Sequence, residues 1–151
     1  AYRRQRQMCI RDRTTDGSEI SKKAIKEAVD FAASYGSTIV GLAVAETFPQ
    51  VVLPEIGAGY NLKSIEDDIL RQTVLNANFI ADLAKAAGAT CEIHTVKAEH
   101  PHEAILKVAT ETGCDSIFMA SHGRRGLDKL ILGSQTQKVL AHSKLPVLVF
   151  K

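Results

Sequence analysis

One stretch of the chain combines glycines and small polar residues in a way that suits anion binding. Between Ser116 and Ser134 it runs S-I-F-M-A-S-H-G-R-R-G-L-D-K-L-I-L-G-S. A short apolar run ending at Ala120 is followed by Gly123 and Gly126, and Gly133-Ser134 stand at the mouth of a helical pattern. Glycine lets backbone N–H groups approach an anion with no Cβ in the way. The first N–H groups of a helix lack internal partners and sit at its positive end. Two donor sets, one around Gly123 and one at Gly133-Ser134, would close on a polyphosphate from two sides. The same glycines would also serve a plain tight turn between strand and helix. The stretch is not a Walker loop, since no Lys follows a glycine in the register G-x-x-x-x-G-K-[ST], nor is it a G-x-G-x-x-G dinucleotide fingerprint.

Other reactive types are scattered. Arg124 and Arg125 stand beside the loop, where they would neutralise a triphosphate or simply be solvated. His122 has no Ser or Cys nucleophile in a recognisable setting beside it, so ligand contact is expected of it rather than catalysis. Ser134 lies outside any G-x-S-x-G elbow. His100 and His102 flank Pro101 at a helix start with no third ligand in sight, a pattern expected to be solvent-exposed and assigned no metal. Asp16, in T-D-G-S, reads by itself as a turn and N-cap residue.

These residues need a scaffold, and the periodicities supply one. Ile20, Ala24, Ala28 and Phe31 mark one face of a helix over 18–35, with Gly36 placed to end it. Thr38 to Ala45 is continuous and β-branched, a strand covered on both sides. The segment 46–62, with Pro49, Pro54, Gly57 and Gly59, is expected to be irregular, a lid or edge cover. Ser64 and Asp67 form a capping pair for a long helix that faces inward with Leu70, Val74, Ala77, Ala81 and Ala84 and stops at Gly88. Cys91 to Val96 is a third strand, and Pro101 opens a helix that buries Ala104, Ile105, Val108 and Ala109 and ends before Gly113. Ser116 to Ala120 is the fourth strand, Ser134 to His142 the last helix with Val139 and Leu140 inward, and Pro146 to Phe150 the last strand. Helix-length crossovers between strands imply parallel pairing, hence a three-layer α/β sandwich with a five-stranded parallel sheet.

Length and composition agree with one domain. The 151 residues are 45% apolar and 24% charged, and no apolar run approaches the ~18 residues of a membrane span. A soluble cytoplasmic protein without a signal peptide of the usual design is expected. The formal charge of +2 comes from residues 1–13, which hold five arginines against one aspartate; the rest has 14 basic and 16 acidic residues. That remainder carries no nucleic-acid charge footprint. Cys9, Cys91 and Cys114 are odd in number and lack C-x-x-C spacing, as suits reduced thiols. Residues 1–13 themselves are aberrant. A first strand at Ile10-Arg11-Asp12-Arg13-Thr14 would put charges in the centre of a sheet, so either the strand is displaced or the segment is non-native, and Q-R-Q-M-C-I-R-D-R is similar to translated adapter sequence. A basic nucleic-acid arm is the functional alternative.

The pattern A-S-H-G-x9-G-S, closed by P-V-L-V at Pro146 to Val149, resembles the C-terminal signature of the universal stress protein family, whose ATP-binding members carry G-x2-G-x9-G-[ST]. Gly123, Gly133 and Ser134 match, while Ala120 replaces the first glycine. The resemblance covers residues 14–151 and implies a Rossmann-like fold of the adenine nucleotide alpha hydrolase type, with sheet order 3-2-1-4-5. It implies that Val44, Thr15 and Met119 lie near adenine, that Ala120, His122 and Gly123 line the ribose and phosphates, and that Asp16 faces the grip, a carboxylate at the end of the first strand placed for a ribose hydroxyl or a phosphate-bound Mg2+. Gly133, Ser134, Gln135 and Thr136 would donate to the phosphates, with Arg124 adding charge. The implied function is ATP binding, with or without Mg2+, in a stress response, by signalling or protection and not by a dedicated enzyme activity, although some such proteins hydrolyse ATP slowly. The implied partner is a second copy, paired through Pro146, Val147, Leu148, Val149 and Phe150. A dimeric interaction module that binds no nucleotide is the alternative. An ATP-consuming ligase or pyrophosphatase of related fold is a weaker one, since T-D-G-S does not supply S-G-G-x-D-S.

Overall fold

The computed structural model describes residues 7–12, 19–47, 62–121 and 132–150. Strand and helix alternate as β1 (Gln7–Asp12), α1 (Glu19–Tyr35), β2 (Thr38–Glu46), α2 (Leu62–Ala86), β3 (Cys91–Ala98), α3 (Pro101–Glu111), β4 (Ser116–Ala120), α4 (Ser134–His142) and β5 (Val147–Phe150). All pairings are parallel, in the order β3-β2-β1-β4-β5. The chain winds outward from β1 to β3, then returns to place β4 on the other side of β1. The direction of winding therefore reverses between β1 and β4.

β1 spans Gln7–Asp12, displaced toward the N-terminus from the expected Ile10–Thr14. Met8, Cys9 and Ile10 pair on both sides, with β2 and with β4, whereas Arg11 and Asp12 pair with β2. The register gives the doubly paired backbone positions to the most apolar stretch of the segment. Arg13 and Thr14 lie outside the described residues.

Alternation along the strands divides the core into two layers. Val40, Leu42 and Val44 of β2 and Ile117 and Met119 of β4 pack with Ile105, Val108 and Ala109 of α3 and Val139 of α4. Ile39 and Phe118 face the other way, against Ile25, Ala28, Val29 and Ala32 of α1 and Ile80 and Ala84 of α2. The helices thus cover the sheet in pairs. α1, α2 and α3 end alike: Gly36, Gly88 and Gly113 have φ of 61°, 69° and 69°, and the following residue donates back five positions, as Ser37 N–H does to the Ala32 carbonyl at 2.9 Å. An L-side chain disfavours that left-handed conformation, which is why glycine stands at each stop.

Three helical faces differ from the periodic reading. In α2 the buried positions are Thr73, Asn76, Ala77, Ile80 and Ala84, while Val74 is exposed. The Thr73 hydroxyl donates to the Ile69 carbonyl at 2.7 Å and Asn76 Oδ1 accepts from Gln72 at 3.2 Å, so both polar groups are satisfied within the helix and the face turns inward. α2 also begins at Leu62, so Ser64 lies in its first turn and is not the cap. In α4, Val139 is buried and Leu140 is not, because Gln135 and Thr136 complete the inward face. Phe31 is 42% exposed yet still packs on Phe118, with ring centroids 5.6 Å apart. The irregular segment expected at 46–62 falls almost wholly at 48–61, outside the described residues.

Gly41 lies close against Ile93 of β3 and Ile80 of α2. A Cβ there would meet Ile93 Cδ1 at 2.6 Å and Ile80 Cγ2 at 2.9 Å. Gly41→Val should cost about 1–3 kcal/mol by overpacking, measured as a lower urea midpoint at unchanged slope; an unchanged midpoint would show that α2 yields freely.

Candidate functional site

The carboxyl end of β4 and the start of α4 are joined by hydrogen bonds across the glycine loop. Ser121 N–H donates to the Phe150 carbonyl at 2.7 Å, which carries the β4–β5 pairing one residue past β4. Gly133 N–H donates to the Ser121 carbonyl at 2.8 Å, and the buried Thr136 hydroxyl donates to the Ala120 carbonyl at 3.1 Å. Gln137 N–H closes the first helical bond on the Gly133 carbonyl at 3.0 Å, and its side chain donates to the Leu132 carbonyl at 2.7 Å. The first turn of α4 is thereby docked at the strand end beside the reversal between β1 and β4, where ligands of open parallel sheets collect.

That turn has no side-chain cap. Gly133 is the N-cap and provides no side-chain bond, so it leaves the N–H groups of the first turn uncapped at the positive end of the helix. Its φ of −59° is available to any residue. Glycine is therefore not demanded by the backbone here, and the absence of a Cβ is what distinguishes it. Ser134 is exposed next to it.

The structure also assigns some of the expected donors elsewhere. Gly133 N–H and the Thr136 hydroxyl are spent on β4 and its extension, and Gln135 Oε1 accepts the His102 backbone N–H of α3 at 3.1 Å. The groups of this set that remain for an anion are the first-turn N–H groups of Ser134, Gln135 and Thr136 and the Ser134 hydroxyl. Val44 and Met119 are 5% and 3% exposed and belong to one core cluster on the α3–α4 side of the sheet. Ala120 is half-buried at the end of β4. Thr15, Asp16, His122, Gly123, Arg124 and Arg125 lie outside the described residues.

His102 is where the sequence reading differs most. Expected in solvent, its side chain is only 13% exposed, because as the second residue of α3 it turns against α4, its ring centroid 6.0 Å from that of His142. His100 is exposed as expected. The link from His102 to Gln135 had no sequence signal, since it joins residues far apart in the chain. Among the described residues, no group of three or more His, Cys, Asp or Glu side chains is arranged so that it could hold a metal ion. Cys91 and Cys114 are not joined in a disulfide, and burial, as the largest influence, raises the Cys91 pKa.

Comparison with known proteins adds a family. The sequence model described as the universal stress protein family matches residues 14–151. Universal stress protein MJ0531 of Methanocaldococcus jannaschii is 30% identical over 139 residues, 91% of this chain and 78% of that protein. The solved structure of hypothetical protein MJ0577, from the same organism, has a TM-score of 0.70 at 26% identity, covering 97% of this chain and 95% of that one. The universal stress protein from Archaeoglobus fulgidus in complex with dAMP has a TM-score of 0.66 at 15% identity, covering 98% of each chain, a likeness of fold.

Thr136 tests the docking of α4. Thr136→Val should destabilise by about 1–2 kcal/mol, since it strips the partner from the Ala120 carbonyl, while Thr136→Ser should keep most of the stability. Urea denaturation of the two variants separates the hydrogen bond from the packing of the methyl group.

Proposed function

The chain belongs to the universal stress protein family, and from that premise we propose that it binds ATP, with or without Mg2+, where β4 meets α4, and acts in a stress response by nucleotide-dependent signalling or protection. The observation that carries this is the uncapped first turn of α4, docked at the end of β4 with a Cβ-free residue at its head. Polyphosphate accepts from N–H groups so arranged, and the aligned helix dipole favours its charge. A protein of the same fold in complex with dAMP supports an adenine nucleotide as the ligand class. In this reading Val44, Thr15 and Met119 lie by the base, Asp16 takes the ribose hydroxyls or a phosphate-bound Mg2+, and Ala120, His122, Gly123 and Arg124 follow the ribose and phosphates. Ser134, Gln135 and Thr136 donate from the helix, headed by Gly133.

The same reading makes the protein a cytoplasmic homodimer. β5 is an edge of the sheet, and Val147–Phe150 is apolar, with Leu148 37% exposed. An apolar edge strand invites pairing with another chain, so Pro146, Val147, Leu148, Val149 and Phe150 form the proposed contact with a second copy.

Calorimetric titration with MgATP tests the nucleotide. Ser134→Asp should weaken ATP by at least roughly tenfold, since a carboxylate meets phosphate there, yet leave Tm unchanged or higher because an acidic residue suits a helix N-terminus. If the wild-type protein gives no heat with ATP, a nucleotide-independent dimeric interaction module takes the place of this reading. Separately, Leu148→Asp should shift the species seen by light scattering from dimer to monomer; a wild-type protein already monomeric would remove β5 as the contact.

A further inference from the structure

Three histidines gather where α3 begins and α4 ends. The His100 and His102 ring centroids are 6.0 Å apart, as are those of His102 and His142. His102 is the inner member, and its Nδ1 is buried without a hydrogen-bond partner among the described residues. Its Nε2 is 3.9 Å from Glu103 Oε1, beyond hydrogen-bond range. His142 Nδ1–H donates to the Lys138 carbonyl at 2.8 Å. The described charged and titratable groups that face His102 are Glu103 and His100 from α3 and Lys138 and His142 from α4. Burial first, and the Lys138 ammonium second, hold its imidazole below the ordinary histidine range; His100 pushes the same way, and Gln135 and Glu103 oppose it.

The backbone N–H of this residue is also the one bound by Gln135, one position beyond Ser134 in the first turn of α4. The geometry points to a proton-controlled coupling: protonation of His102 at the seam between α3 and α4 loosens the turn that Gln135 holds and so weakens nucleotide binding at α4. A proton taken from solvent creates an imidazolium beside Lys138 in a site that hydrates it poorly. An outward swing of the ring that carries the first turn of α3 with it hydrates the charge and releases Gln135. Because the folded pKa lies below the unfolded value, the neutral ring's contribution is complete above about pH 6.5 and is lost as pH falls from there through the folded pKa. The coupling rests on the nucleotide reading of the same site.

The test compares ATP affinity for wild type and His102→Gln at about pH 7.5 and about pH 5.5. The terminal phosphate of ATP titrates near pH 6 with either protein, so the diagnostic is the difference between them. Wild type should lose severalfold more affinity than the variant on acidification, short of the roughly tenfold ceiling that a folded pKa below about 6.5 sets at pH 5.5. Parallel losses would overturn the coupling while leaving the nucleotide site intact, whereas no binding by either protein at either pH would remove the nucleotide reading and the coupling with it. Should His102→Gln not fold, NMR titration of the His102 ring in wild type decides. Linkage requires ATP to lower its midpoint by about one pH unit for each tenfold of coupled affinity, and an unmoved midpoint overturns the coupling.

Discussion

A parallel sheet cannot leave either face to water, because its crossovers lay helices on both sides and its strands are apolar along both faces. Most of this molecule follows from that constraint. Ile39 and Val40 are neighbours in β2 yet serve opposite layers, as do Phe118 and Met119 in β4. α1 and α2 close one face, α3 and α4 the other. Gly41 shows how close the cover lies, since a single added carbon would collide with both Ile80 and Ile93.

The same constraint creates the site. Five strands wound outward from β1 in two directions leave a reversal between β1 and β4 that no helix crosses at the carboxyl end. The protein spends hydrogen bonds to place α4 there: Ser121 and Ala120 each accept from the first residues of the α4 segment. Those bonds divide the labour within four consecutive residues. Gly133 and Thr136 hold the helix to the strand, Gln135 holds it to α3, and Ser134 faces solvent. A turn tied both to the end of β4 and to α3 has its N–H groups ordered in advance, which is the advantage of preorganised donors.

Much of the fold was legible because its punctuation is chemical. β4 and α4 have the bounds that Ser116 to Ala120 and Ser134 to His142 suggest, since a glycine precedes the helix and Pro146 follows it. Gly36, Gly88 and Gly113 announced their helix ends through the left-handed conformation they adopt. The faces of α2 and α4 were harder. Leucines, valines and alanines on several sides of a helix leave its rotation undetermined, and Thr73 and Asn76 look like surface residues until their polar atoms are seen bonded within the helix. Val139 and Leu140 are adjacent and alike, and only the packing against the sheet distinguishes them. Of the candidate site, the strand end and the helix mouth were legible, whereas the hydrogen bonds that tie the helix to the strand and to α3 were not.

Sequence alone determined the alternation of strands and helices, their approximate limits, and the uncapped helix mouth at Gly133-Ser134, because each depends on local periodicity or on what glycine and proline permit. It also carried the family, whose model spans residues 14–151. Tertiary structure decided which register of the N-terminal segment enters the sheet, which helical faces are buried, and that His102 and Gln135 meet across two helices. These are contacts between residues far apart in the chain. Their energies come from burial and from pairing polar groups away from water, quantities that no local pattern encodes.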